Sequence, residues 1–421
     1  MSAPTLRDPL AIGALRLRNR LYRAPVLEGA GRAKDPAAEY ARHFVPGARA
    51  GLGLIVQGNT IVLPQGRTSP GMSAIGERDH LLALAPMVRA VHDAGGAIAI
   101  QLGHGGIFAL ESWHREFASI RSGAPFAPSP IPLWMRAVLG RVHVLATREV
   151  DALVRRFGLV ASWAREAGYD AVQLAGANAK LLHQFLSPTY NRRDDRYGGS
   201  PSARFRILRE IRESIAEQAG ADFPVLLKLA AEEHGAFGRR WGLELGIEYA
   251  RMAEDAGFDA ITPVAADSMP NTAICRGAYP AEMFAKERIS RMYRDAGGRR
   301  AKPVASLAAR VAAKRYPFAP VWNREVFRSV KAAVKIPVFA VGGIRTRAEA
   351  EEILARGEAD LVGVGRPFYA EPELARRFLD DTAPDGSACE NSNNCVVAQM
   401  LGMPAACYNS GVHKKIAAAR S

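Results

Sequence analysis

Eight short apolar runs, each followed by a segment of helical periodicity, constrain this 421-residue chain more than any other feature of it. They fall at residues 21–25, 53–57, 97–102, 171–175, 224–229, 260–264, 337–341 and 360–364. Runs this short, rich in Val, Ile, Leu and Ala and lacking polar alternation, suit strands covered on both faces. Between them Leu82, Leu84, Met87, Val88 and Val91, and later Ile207, Ile211 and Ile215, recur at helical spacing. Glycines such as Gly95 and Gly257 stand where those helices end. Strand then helix, eight times over, predicts an α/β chain closed into a parallel (β/α)8 barrel. Such a barrel needs about 250 residues, so the rest is elaboration. We expect the barrel over residues 1–380, a hairpin around Leu10 to Leu17 capping its floor, insertions at about 107–145 and 266–322, and an extension over 381–421 packed under the floor. The first insertion carries Leu133, Trp134, Met135, Val138 and Leu139 and, leaving the C-terminal end of its strand, reads as a lid.

The net charge of +14 is unevenly placed: residues 286–331 hold thirteen Lys or Arg against Glu287, Asp295 and Glu325. No nucleic-acid motif or aromatic platform accompanies that charge, so a nucleic-acid partner is not expected. Val304, Leu307, Ala308 and Val311 share one helical face in this segment, beside Arg310, Lys314 and Arg315. A basic face with apolar residues suits a weak peripheral contact with an anionic membrane, a subunit contact in a homo-oligomer, or admission of an acidic small molecule. No run of 18 apolar residues and no export signal is seen, so a cytoplasmic protein is expected. Four cysteines do not make a disulfide framework, and no metal-ligand set is read.

Working residues of a (β/α)8 barrel lie at the C-terminal ends of its strands. Gly342 and Gly343 follow the seventh strand, Gly365 and Arg366 the eighth, and glycines at those two strand ends suit a phosphate cradle. The fourth strand turns at Gly176 into Asn178, Lys180 and His183. The first ends at Ala24 and Pro25 with Glu28 close behind, the second at Gly58, the third at Gln101 and His104, and the fifth contains Lys228 before Glu232, Glu233 and His234. A lone lysine at the end of an apolar strand is either a structural ion-pair partner or a functional cation, and burial without a partner would cost several kcal/mol.

The stretch Leu181 to Ser200, LLHQFLSPTYNRRDDRYGGS, with Arg204 after it and GRPFYAEPEL from Gly365, resembles the signatures of the Old Yellow Enzyme (NADH:flavin oxidoreductase) family. The resemblance runs from about residue 8 to 375 and implies a flavin-dependent barrel. FMN would be the cofactor and NAD(P)H the reductant; the phosphate would sit at Gly342, Gly343, Gly365 and Arg366, the ring against Ala24, Pro25, Gly58, Gln101 and Lys228. Departures begin at the substrate pocket. The family's anchoring His is Ala175, its proton-donating Tyr is Lys180, and Asn178 keeps the second anchor. Lys180, Asn178, Glu28 and His183 are therefore the catalytic candidates, for reduction of an unsaturated or carbonyl-conjugated, acidic or neutral, small molecule, or for its dehydrogenation or rearrangement. The alternatives are a flavin-binding protein without redox chemistry and a regulatory or membrane-surface role for the basic insertion. Iron–sulfur relatives carry four cysteines in the region of Cys389, Cys395 and Cys407, whereas Ser392 fills the second slot here, so a cluster is not expected.

Overall fold

The eight apolar runs form eight strands in the computed structural model, which describes residues 3–119, 124–235, 238–267 and 273–418. They are β1 (Leu21–Arg23), β2 (Leu54–Ile61), β3 (Ala97–Gly103), β4 (Ala171–Gly176), β5 (Val225–Gly235), β6 (Ala260–Asp267), β7 (Phe339–Val341) and β8 (Leu361–Val364). Neighbours pair in parallel from β1 through to β6, and from β7 through β8 back to β1. A parallel bridge between Ile261 and Val338, with the Ile261 N–H donating to Pro337 O at 3.0 Å, joins β6 to β7 and closes the ring.

Helices lie between the strands and bury one face. Thr147–Glu166 and Pro201–Ala219, for example, pack Val150, Phe157, Ile207 and Ile211 into the core shared with the strands. The second begins at Ser200, whose hydroxyl accepts from the Ala203 N–H, with Pro201 in the first turn. The expected hairpin pairs Leu10–Ile12 with Leu15–Leu17 antiparallel. Ile12, Leu15 and Leu17 join Leu54, Val56, Ala99, Ala171, Leu226, Ala260, Phe339 and Leu361 in a buried cluster that plugs the N-terminal end of the barrel. Function is thus left to the opposite rim.

Three strands run well past their apolar runs, β6 by the three residues to Asp267. β2 bulges between Gln57 and Thr60 and continues to Ile61; β5 continues through Glu232, Glu233 and His234 and pairs with Gly238–Trp241. In the first insertion, Leu133–Leu139 is a helix and Phe126–Ala127 pairs with His143–Val144. Residues 120–123 and the side chains of Trp134 and Val138 lie outside the described residues, as do residues 268–272 of the second insertion.

The extension is where expectation and structure part. It does not pack under the floor, which the hairpin already closes. Val397, Ala398, Leu401 and Met403 form a satellite core with Met283, Phe284, Ile289 and Tyr293 of the second insertion. Asn394 Nδ2 donates to Glu282 Oε2 at 3.0 Å, and Ser69 Oγ, from the segment after β2, to Gln399 O. The extension therefore sits on the rim beside the strand ends. In the insertion helix Ala301–Arg315, small residues Ala301, Ala305 and Ala309 rest on that satellite core. Val304, Leu307 and Val311 face outward, 64, 64 and 57% exposed. Among the described residues no helix is long and apolar enough to cross a membrane.

Candidate active site

Two adjoining cavities open at the C-terminal rim and share Pro25, Val26, Lys228, Ile274, Cys275 and Arg366. One is the glycine cradle, lined by Ala24, Val341, Gly342, Gly343, Ile344, Arg345, Gly363, Gly365, Phe318 and Trp322. Gly342 and Gly343 have φ of 120° and 85°, a conformation that L side chains rarely adopt, and a Cβ on Gly342 would come within 2.7 Å of Asn323. Arg366 is more tightly held than a free phosphate clamp: Nη1 donates to Asn393 Oδ1 of the extension and Nη2 to Arg276 O at 2.8 Å. Its charge faces the cradle while the tail and the insertion fix its direction.

The second cavity is lined by Asn59, Thr68, Ser69, Met72, Gln101, Ala175, Ala177, Asn178, Lys180, Gln399 and Met400 in addition to the shared residues. Among the described residues no Asp or Glu lines it. Gln101 Nε2 donates to Gln173 Oε1 at 2.7 Å, and Gln173 Nε2 to Thr262 Oγ1 at 3.3 Å, so the Gln101 carbonyl is the end left to accept. Lys228 is 8% exposed and makes no ion pair or hydrogen bond among the described residues; burial lowers its ammonium to about 8. Lys180, 6% exposed, donates to Thr68 Oγ1 at 2.8 Å and is likewise lowered to about 8, by burial first and by the Lys228 charge second. Cys275 shares this pocket; burial raises its thiol while Arg366, Lys228 and Lys180 oppose the rise.

A strained turn aims the substrate-side residues. Asn178 and Ala179 have φ of 60° and 54°, two successive left-handed residues without a glycine, a conformation that persists only where surroundings impose it. The Ala179 N–H donates to His183 Nδ1 at 2.9 Å, and Gln184 Nε2 donates to Ala179 O at 2.7 Å. Because Nδ1 accepts, the other ring nitrogen carries the hydrogen, and Nε2 lies 3.5 Å from Glu233 Oε2 with both side chains fully buried. The turn leaves Asn178 Oδ1 in the cavity wall, buried and without a partner, as are both amide atoms of Asn59.

Two catalytic candidates and one ring contact stand elsewhere. His183 and Glu28 line neither cavity. His183 stays behind the turn, against Trp241, where it supports the backbone. Glu28 is 1% exposed and pairs with equally buried Arg23 at 3.1 Å, while its other oxygen accepts from the Gly58 N–H at 3.1 Å. Burial raises its carboxyl to about 7, with Arg23 and the Gly58 N–H opposing. The same bond turns Gly58 away from the cavities, and a Cβ there would run into Val26 O. A carboxylate three residues past the apolar run that ends at Pro25 looks catalytic in one dimension, yet the chain between β1 and Glu28 folds it back onto Arg23. Lys180, Asn178, Gln101, Lys228, Ala24, Pro25, Gly342, Gly343, Gly365 and Arg366 do converge. Asn59, Thr68, Ser69, Cys275, Arg345, Trp322 and Gln399 were not anticipated; those after β2 and β7 could have been found by reading further beyond each strand end, whereas Cys275 and Gln399 come from elaborations with no local signal.

A parallel barrel with a glycine cradle after its last two strands, and a buried cation and an amide acceptor beside it, defines the class of flavin-binding (β/α)8 proteins. The model of the NADH:flavin oxidoreductase / NADH oxidase family matches residues 5–261 and 287–383, and the chain belongs to that family. An NADH oxidase from Thermoanaerobacter brockii is 29% identical over 394 residues, 93% of this chain and 53% of its own. The chain thus spans about half the length of that relative. An NADPH dehydrogenase from Bacillus licheniformis is 27% identical over 378 residues, 88% of this chain and 93% of its own. Among solved structures, a 2-naphthoyl-CoA reductase complexed with 2-naphthoyl-CoA superposes with a TM-score of 0.75 at 20% identity, over 98% of this chain and 58% of its own. FMN is the cofactor of the family, and the residues present fit it: the cradle leaves room for a phosphate and, among the described residues, Lys228 lacks a counter-charge and the Gln101 carbonyl lacks a donor.

Proposed function

We propose that this chain is an FMN-dependent oxidoreductase that moves hydride between NAD(P)H, or an organic substrate, and the cofactor, and acts on an unsaturated or carbonyl-conjugated small molecule. Bound FMN would supply the hydride acceptor and donor. The protein's part is positional and electrostatic. Gly342, Gly343, Gly365 and Arg366 hold the phosphate, with Arg345 beside them. Lys228 holds negative charge at the pyrimidine edge and the Gln101 carbonyl accepts from it. Ala24 and Pro25 floor the ring. On the substrate side Asn178 orients an oxygen and Lys180 carries a proton at Nζ near neutral pH, a suitable range for general acid work.

The loss of the anchoring His to Ala175 matters for rate. One hydrogen-bond donor to developing negative charge is worth a factor of about 10² to 10³, so simple enones should turn over slowly. Dehydrogenation or a cofactor-assisted rearrangement is then as compatible with the pocket as alkene reduction.

The observation that carries this reading is the meeting of an unpaired buried Lys228, the Gln101 carbonyl and the glycine cradle in adjoining cavities. The test is anaerobic mixing of the FMN-loaded protein with NADH and NADPH. Loss of the yellow absorption, and its return on adding an unsaturated carbonyl compound, is the expected result. A cofactor untouched by both nucleotides and by every candidate substrate would contradict it and favour a flavin-binding protein without redox chemistry.

A further inference from the structure

Two buried ammonium groups share one pocket whose lining, among the described residues, includes no acidic side chain. Lys180 and Lys228 are 6 and 8% exposed, and neither has a carboxylate within ion-pair distance among the described residues. Confining one unpaired charge costs several kcal/mol, and confining two that repel each other costs more. Behind the rim, by contrast, the deeply buried Arg23 is paired with Glu28. Lys180 and Lys228 stand in a cavity wall, so the missing charge is one that a ligand can bring.

On the reading above, FMN uses Lys228 at its ring and Arg366 at its phosphate. Lys180 is then left over. Among the described residues its one hydrogen-bond partner is the neutral Thr68 hydroxyl at 2.8 Å, which leaves ammonium hydrogens to donate elsewhere. Around it the wall offers Asn59, whose two buried amide atoms lack partners among the described residues, Asn178, whose buried Oδ1 lacks one as well, and the small Ala175. Lys180 follows the imposed left-handed turn, so its direction is set by the backbone and not by a flexible loop.

We infer that this pocket selects an anionic substrate, an α,β-unsaturated acid whose carboxylate is seated on Lys180 Nζ, with the unpartnered Asn59 Nδ2 as a second donor on the same cavity wall. The inference rests on the proposed function for the place of FMN. It explains why Lys stands where a neutral proton donor would serve a neutral enone. The basic insertion, with an excess of ten positive charges over residues 286–331, adds long-range attraction for the same ligand class.

The experiment compares acids with their own methyl esters, crotonate with methyl crotonate and cinnamate with methyl cinnamate, as ligands of the oxidised FMN-loaded protein. Binding is read from the perturbation of the flavin absorption and, independently, from heat. At pH 7 at least one acid should bind about tenfold or more tighter than its ester, the scale of one charge-assisted contact. That advantage should fall away as pH rises through about 8, because the ammonium loses its proton, and acid binding there should take up protons. Lys180→Met should abolish the acid preference and Lys180→Arg should restore part of it, both with FMN retained. Esters binding as well as acids in the wild type, an acid preference that survives Lys180→Met, or no acid in either pair binding at millimolar concentration would each overturn the inference. Bleaching by NADH or NADPH is scored separately, so a failed acid preference on a reducible flavin sinks this inference alone.

Discussion

Two regions of this barrel bury charge in opposite ways. Behind the rim, Arg23 and Glu28 meet at 3.1 Å with each side chain 1% exposed, and Arg23 also donates to His43 O and lies over the rings of Phe44 and Phe368. In the pocket, Lys180 and Lys228 are almost as buried and, among the described residues, have only the Thr68 hydroxyl as a polar partner. The first arrangement closes its own electrostatic account and needs no ligand. The second remains open until a ligand enters. Between these two pairs, completeness of pairing more than burial marks the difference.

That contrast is most exposed to failure at Glu28. Glu28→Ala leaves the Arg23 guanidinium and the Gly58 N–H without their acceptor and should cost about 3 to 5 kcal/mol, read by denaturant unfolding, while FMN affinity per folded molecule stays unchanged. Because the folded carboxyl titrates at about 7, above its ordinary 4.5, the folded protein holds a proton that the unfolded chain releases. Its contribution to stability therefore declines as pH rises from about 4.5 through 7, and Glu28→Gln should flatten the pH dependence of Tm in that window. A large loss of FMN affinity in Glu28→Gln would place Glu28 in the site after all.

Lys228→Met inverts the pattern. Removing an unpaired buried ammonium should not destabilise the FMN-free protein, and by relieving its desolvation should raise Tm slightly. FMN affinity should fall by about 2 kcal/mol, the worth of a hydrogen bond to a charged group. Equal losses of stability and affinity would mean that Lys228 has a structural partner. The smallest effect is expected on the outer face of the basic insertion: Leu307, 64% exposed, should tolerate Ser within about 0.5 kcal/mol in unfolding. A larger loss, or a change in particle mass by light scattering, would mean that another surface covers that face.

The barrel was legible in the sequence because strands buried on both faces must be uniformly apolar, and eight such runs in order leave few topologies. The glycine cradle was legible too, since Gly342 and Gly343 adopt φ values that few other residues reach. The roles of Glu28 and His183 were not. Each depends on a partner distant in sequence or hidden by the fold, Arg23 across a turn and Glu233 within a strand that outruns its apolar core. The extension was misplaced because its apolar residues, Val397 and Leu401, complete a cluster begun by Met283 and Ile289 more than a hundred positions earlier. Periodicity marks that a face is apolar and is silent on which surface receives it.

Every assignment depends on the proposal that a flavin lies across the rim of the barrel, and the visible spectrum of the purified protein, before and after incubation with FMN and removal of the excess, tests this directly. The account predicts yellow protein with about one FMN per chain, bound or readily restored, and an FMN that Lys228→Met holds more weakly. Protein that is colourless as isolated and returns from added FMN still colourless would contradict it.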